Sequence, residues 1–133
     1  MLDNLSPHGR FSLSIENENI LIINGRGPWN KEAVAHLDDD QEALLKSLYG
    51  RPWGVLAIIS GDPVHTQEAS ELLANIVYED KQKGRKASAL ILKDCNFPEI
   101  GKHDISKIYN KANEKFEFFD DRNTATSWLK ERI

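Results

Sequence analysis

Ser60, Asp62, His65 and Thr66 fall within one short stretch, IISGDPVHTQEASELL, that passes from strand-like to helix-like patterning. A serine, a carboxylate and an imidazole are the residue types of an acyl-transfer triad, and a helix start is where a phosphate is readily bound or attached. Three members on one short loop do not converge readily as nucleophile, base and orienter, and no nucleophile-elbow sequence surrounds Ser60. No catalytic residue is assigned, and the chain is read as non-enzymatic. Thr66 can equally cap the helix through its hydroxyl while Pro63 stiffens the approach, which needs no chemistry at all.

Other chemistries find little support. The turn NGRGPWN has two glycines of a dinucleotide fingerprint, Gly25 and Gly27, but Asn30 stands where the third belongs and Pro28 removes an N–H that would face a phosphate. His8, His36, His65 and His103 show no metal-ligand spacing, and Cys95 with His103 alone does not make a zinc site. Neither a metal nor a cofactor is expected. Lys81, Lys83, Arg85 and Lys86 gather near the end of a helical pattern, where cations complement the negative end of the dipole and remain solvated. Cys95 reads as a partly buried, inert thiol.

The elements that must position these residues belong to one domain, taken as residues 1–133. With 40% hydrophobic and 29% charged residues the balance is that of a globular chain. The net charge of −4 argues against nucleic acid as the main partner. The N-terminal MLDNLSPHGRF lacks the pattern of a signal peptide, no apolar run reaches membrane-spanning length, and a single cysteine recommends no oxidising compartment. A cytoplasmic protein without stable membrane insertion is expected.

Alternation over Phe11, Leu13 and Ile15 predicts an edge strand, and Ile20 to Ile23 an interior one, paired as an antiparallel hairpin across the polar ENEN. Asn30 is placed to cap a helix that carries Val34, Leu37, Leu44, Leu45 and Leu48, with Asp38 to Asp40 largely on its other face and Trp29 before the cap. Gly50 and Pro52 end it. Trp53 to Ile59 is a central strand, Thr66 to Lys83 a helix, Ala87 to Leu92 a strand, the segment around Ile105 to Ala112 a short helix, Phe116 to Asp120 a last strand, and Ala125 to Leu129 part of a final helix. The fold class is therefore α/β: a mixed, mostly parallel five-stranded sheet with four helices, in the order β-β-α-β-α-β-α-β-α.

This order, with the segments GPWNKEA, GRPWGVLAI, GRKASALIL and FFDDRNTATSWL, resembles the STAS domains, named for sulfate transporters and anti-sigma factor antagonists, and within them the stand-alone bacterial SpoIIAA-like proteins. The resemblance spans Phe11 to Leu129. It implies a regulatory domain that binds another protein and is switched by phosphorylation at the start of the helix after the third strand. The family's Asp, two hydroxyl residues and Gly are absent from GDPVHTQEAS. Thr66 stands nearest the phosphoacceptor position, with Ser60 and Ser70 as further candidates.

The likeness of this branch to lipid-binding domains of the CRAL-TRIO type implies an alternative, a carrier or sensor of a small apolar or anionic ligand at the carboxyl ends of the strands. The candidate ligand or partner face comprises Asn24, Gly25, Gly27, Trp29, Asp62, His65 and Phe97. The chain is expected as a monomer or a weak homodimer, with Trp29 and Trp53 as exposed loop residues available to a dimer contact.

Overall fold

The structure, a computed structural model, describes residues 9–133, the side chains of residues 38–40 excepted. The expectations placed on residues 1–8 and on the wet face of Asp38 to Asp40 lie outside the described residues. Strand β1 (Arg10–Glu16) pairs antiparallel with β2 (Ile20–Trp29), while β3 (Trp53–His65), β4 (Arg85–Cys95) and β5 (Phe116–Phe118) are added in parallel. The sheet order is β1-β2-β3-β4-β5. Helices α1 (Lys31–Asp40), α2 (Glu42–Lys46), α3 (Gln67–Gln82), α4 (Pro98–Lys111) and α5 (Arg122–Lys130) complete the described fold.

Because the parallel strands are laid down in one direction, right-handed crossovers carry every connecting helix over the same face. That face buries Leu21, Val55, Ala57, Ile59 and Leu90 beneath Leu45, Leu48, Val77, Ile105 and Ile108. The other face buries Ile20, Ile22, Leu56, Ala87, Ala89 and Ile91 against Ala125 and Leu129 of α5. The period-two alternation of β2, β3 and β4 feeds both layers, which is why these strands read as continuously apolar.

Three expectations are corrected. The first helix is two, because α1 ends at Gln41 with no basic residue in its last turn and α2 starts without a side-chain cap, so five helices replace four. The strands overrun their apolar cores: NGRGP lies in β2 and Ser60 to His65 in β3, paired through Arg26–Ser60, Gly27–Gly61 and Trp29–His65. Glycine, proline and asparagine are turn formers locally, but parallel pairing overrides that preference, and the register shift between Gly27 and Trp29 accommodates Pro28, which has no N–H for the ladder. Gly61 adopts a φ of 76°, and a Cβ there would stand 2.7 Å from the Gly27 carbonyl oxygen. Lastly, Trp29 and Trp53 are only 2% and 0% exposed, so neither can serve a dimer contact.

A buried ionic cluster ties the far ends of α3 and α4 to β4. The Arg85 guanidinium donates to Glu114 at 2.7 Å, to Asp80 at 3.2 Å and to Ser88 at 2.8 Å, and Ser88 donates to Glu114 at 2.7 Å. Lys81 lies 3.5 Å from the other Glu114 oxygen. Burial opposes the guanidinium charge, and the facing carboxylates outweigh it, so the pKa of Arg85 is raised. Replacing Arg85 by Met leaves two buried carboxylates facing each other without their shared cation, and is expected to lower unfolding free energy by about 3–5 kcal/mol in urea denaturation.

At the opposite pole Asp121 caps α5, accepting from the Thr124 N–H at 2.8 Å and from its hydroxyl at 2.9 Å. These bonds, that of the Thr124 N–H first, hold its carboxyl below the usual range. A lowered native pKa means that the unfolded chain binds the proton more tightly. The contribution is thus present above about pH 4 and lost as pH falls through the native value. Amide-exchange protection in α5 is expected to decline in acid, and Asp121→Asn, which still caps, to flatten that decline.

Candidate functional site

The carboxyl ends of β2, β3 and β4 gather most of the residues singled out from sequence, and the sheet then divides them. On the face of the crossover helices, Trp29 folds back over Gly25, where a Cβ would stand 3.0 Å from its ring. It stacks between Phe11, with ring centroids 5.3 Å apart, and His65, at 4.7 Å. His65 Nδ1 meets Asp104 Oδ2 of α4 at 2.9 Å, and its side chain is 4% exposed. Ring stacking and this hydrogen bond fix the imidazole between sheet and helix. Trp29 also holds the start of α3, its carbonyl accepting the Thr66 N–H at 3.0 Å.

Thr66 is the N-cap of α3, with its hydroxyl accepting from the Ala69 N–H at 3.1 Å. Ser70 lies one turn further and lines, with His65, Glu71, Asp104 and Lys107, a groove of about 510 Å3 between α3 and α4. Beside Trp29 lies a small apolar cavity of about 40 Å3, lined by Phe11, Ile23, Leu73, Ile105 and Tyr109 among others. Trp29 and His65 form part of the wall of that cavity.

Ser60 and Asn24 point to the other face, that of α5, by strand alternation, and the Ser60 hydroxyl lies 3.5 Å from the Gly25 carbonyl. Asp62 and Phe97 occupy the rim between the faces. Asp62 accepts from the Asn96 side chain at 2.9 Å, and the Asn96 N–H donates to the Gly61 carbonyl at 3.0 Å. These bonds set up a loop in which Asp94 and Phe97 take φ values of 54° and 48°. Phe97 is left 75% exposed and Ile100 57% exposed at the start of α4.

Cys95 is half-buried and donates to the Ile59 carbonyl at 3.1 Å; burial, assisted by the charge of Asp94, pushes its thiol pKa up. That environment disfavours the thiolate.

Ser60, Asp62 and His65 make separate bonds to Gly25, Asn96 and Asp104 and form no common constellation. Asp104 is the partner that sequence reasoning missed. Its neighbour Ile105 marked the buried stripe of α4, but only the packing of that helix over β3 pairs Asp104 with a residue 39 positions away. Among the described residues no group of three or more His, Cys, Asp or Glu side chains is arranged to hold a metal ion, and no helix is long and apolar enough to cross a membrane.

The Thr66 hydroxyl is committed to the helix start, so Thr66→Ala is expected to lower stability by about 1 kcal/mol, whereas Thr66→Ser keeps the cap and most of that stability. Parallel urea melts of the two variants check this.

No family model and no curated protein matches this chain. Among solved structures, it is similar to the crystal structure of an uncharacterized protein of the DUF3478 family from Shewanella loihica PV-4. That similarity has a TM-score of 0.59, with 16% identity, and covers 95% of this chain and 97% of the other. The neighbour is described as SpoIIAA-like in fold, which accords with the single antiparallel edge, the sequential strand order and the helices found here. The chain has a SpoIIAA-like fold.

Proposed function

We propose that this chain is a non-enzymatic regulatory domain that acts by contact with another protein, and that the contact is made by the rim formed by Asp62, Asn96, Phe97 and Ile100. The observation that carries the reading is the placement of Phe97. A phenylalanine in the left-handed region costs about 1–2 kcal/mol relative to ordinary backbone, and here that conformation leaves the ring 75% exposed. Folding gains little from such an arrangement. An aromatic anchor with an aliphatic neighbour and a polar margin is what the centre of a protein interface supplies.

The Thr66 cap lies at the same end of the sheet, one residue beyond the strand that carries Asp62. A phosphate on Thr66 would replace a neutral cap by two negative charges at the positive end of α3, where free backbone N–H groups favour them. Its effect on a partner at the rim would be electrostatic, since Asp62 already contributes a negative charge there.

The test places a photo-crosslinking benzoylphenylalanine at position 97 or, as a control on a remote surface, at position 130, in the source cells. One discrete adduct from position 97 and none from position 130 is expected. With the captured protein purified, Phe97→Ala is expected to weaken binding by about 2 kcal/mol, roughly 30-fold. Thr66→Glu should weaken it where Thr66→Ala does not. Equal adducts from both positions, or no adduct from position 97, would sink the reading.

A further inference from the structure

The face opposite the crossover helices is covered by α5 alone among the described elements, and α5 is too short to cover it. Its nine residues span about 13 Å at ~1.5 Å per residue, whereas the 13 residues of β3 span roughly 43 Å at ~3.3 Å per residue. Ala125 and Leu129 cap the apolar lower half of that face. Towards the strand ends the alternation continues past Ile22, Ile58 and Ile91 into Asn24 and Arg26, Ser60, and Lys93, which are exposed or half-buried. They line a depression of about 680 Å3 with Arg10 and Arg122.

Four cations, Arg10, Arg26, Lys93 and Arg122, thus meet one carboxylate, Asp94, in the wall of a single depression on a chain of net charge −4. Arg122 is engaged by Glu16 at 2.8 Å. Arg10, Arg26 and Lys93 make no ion pair among the described residues. Arg10 and Arg26 are also direct cross-strand partners in the β1–β2 register. Two like charges opposite each other on one face destabilise a hairpin, and nothing in the described packing compensates them. An anion lying between them would.

Lys93 stands two strands from Arg26, about 10 Å away at the ordinary strand spacing. The depression therefore offers two separated centres of positive charge, with the hydroxyl of Ser60 on the strand between them, the amide of Asn24 two residues from Arg26 on β2, and Ile58 in its floor. Planar guanidinium forks match phosphoryl oxygens in pairs, and the volume falls in the range of small-molecule sites. We infer that the uncovered half of the α5 face is a binding site for a small organic molecule carrying two phosphoryl groups, engaged by the Arg10–Arg26 pair at one end and Lys93 at the other. The site lies across the sheet from the His65–Asp104 groove and does not depend on the protein contact proposed for Phe97.

The experiment is an amide-resolved NMR titration of the full chain with fructose 1,6-bisphosphate as the probe, beside inorganic phosphate and citrate. Saturable shifts centred on Ser12, Asn24, Arg26 and Ser60 are expected, with the bisphosphate bound at least tenfold more tightly than inorganic phosphate or citrate. Arg26→Gln and Lys93→Gln should each weaken it at least tenfold while leaving shifts elsewhere in place. Arg26→Gln should also raise the melting temperature of the ligand-free protein, because it removes the like-charge pair. Absence of saturable shifts, equal affinity for inorganic phosphate, or an unchanged response in both variants would overturn the assignment. Citrate binding as tightly at the same residues would replace phosphate by a carboxylate ligand and overturn it as stated, and a lower melting temperature for Arg26→Gln would make the arginine pair structural.

Discussion

The handedness of the crossovers governs most of what this molecule presents to its surroundings. Strands added in the order β1-β2-β3-β4-β5 can be joined by right-handed connections only if α1, α3 and α4 share one face. That face becomes a thick apolar layer closed by Trp29, His65 and Tyr109. The other face is left to the chain beyond β5, where α5 supplies a helix of only nine residues. Among the described residues, one constraint thus produces a deeply packed side and a half-bare side. The bare half begins where the apolar alternation of the strands gives way to Asn24, Arg26, Ser60 and Lys93.

The strand ends carry the second organising feature. Pairing of Gly27 with Gly61 and of Gly61 with Cys95 draws the backbones of β2, β3 and β4 together beyond their apolar runs. Gly101 permits the same closeness between α4 and the Pro63 ring, since a Cβ there would run into it. A segment rich in turn formers is held extended in this way, and residues adjacent in sequence are sent to opposite faces. His65 goes under α4 to meet Asp104, Ser60 goes to the α5 side, and Asp62 remains on the rim with Asn96. The rigid platform beneath the Asp94 to Phe97 loop accounts for its ability to keep two residues other than glycine at positive φ.

Much of the architecture was legible because burial imposes period two on half-buried strands and a period near 3.6 on helices. Phe11 to Ile15, Trp53 to Ile59 and the Ala69 to Val77 stripe all lie where that periodicity puts them. The caps were legible too: Asn30 and Thr66 accept the N–H three residues on, as short polar side chains before a helix do. Less of the candidate site could be seen. Ser60, Asp62, His65 and Thr66 were visible as residue types in one stretch, but their grouping was not, because a strand separates neighbours that a loop would have kept together. The Arg10–Arg26 pairing depends on the register of the hairpin, which the ENEN turn does not by itself specify.

By itself the sequence determined the layered α/β class, the single antiparallel edge and the capped starts of α1 and α3, since each depends on local propensity or on alternation within one element. The start of α2 and that of α4 at Pro98, in a stretch that reads locally as loop, were not legible. Tertiary structure alone decided the rest: the length of β2 and β3, the burial of Trp29 and Trp53, the Arg85 cluster and the bond between His65 and Asp104. These depend on which distant backbone or side chain arrives alongside, and that is set by strand pairing and crossover geometry.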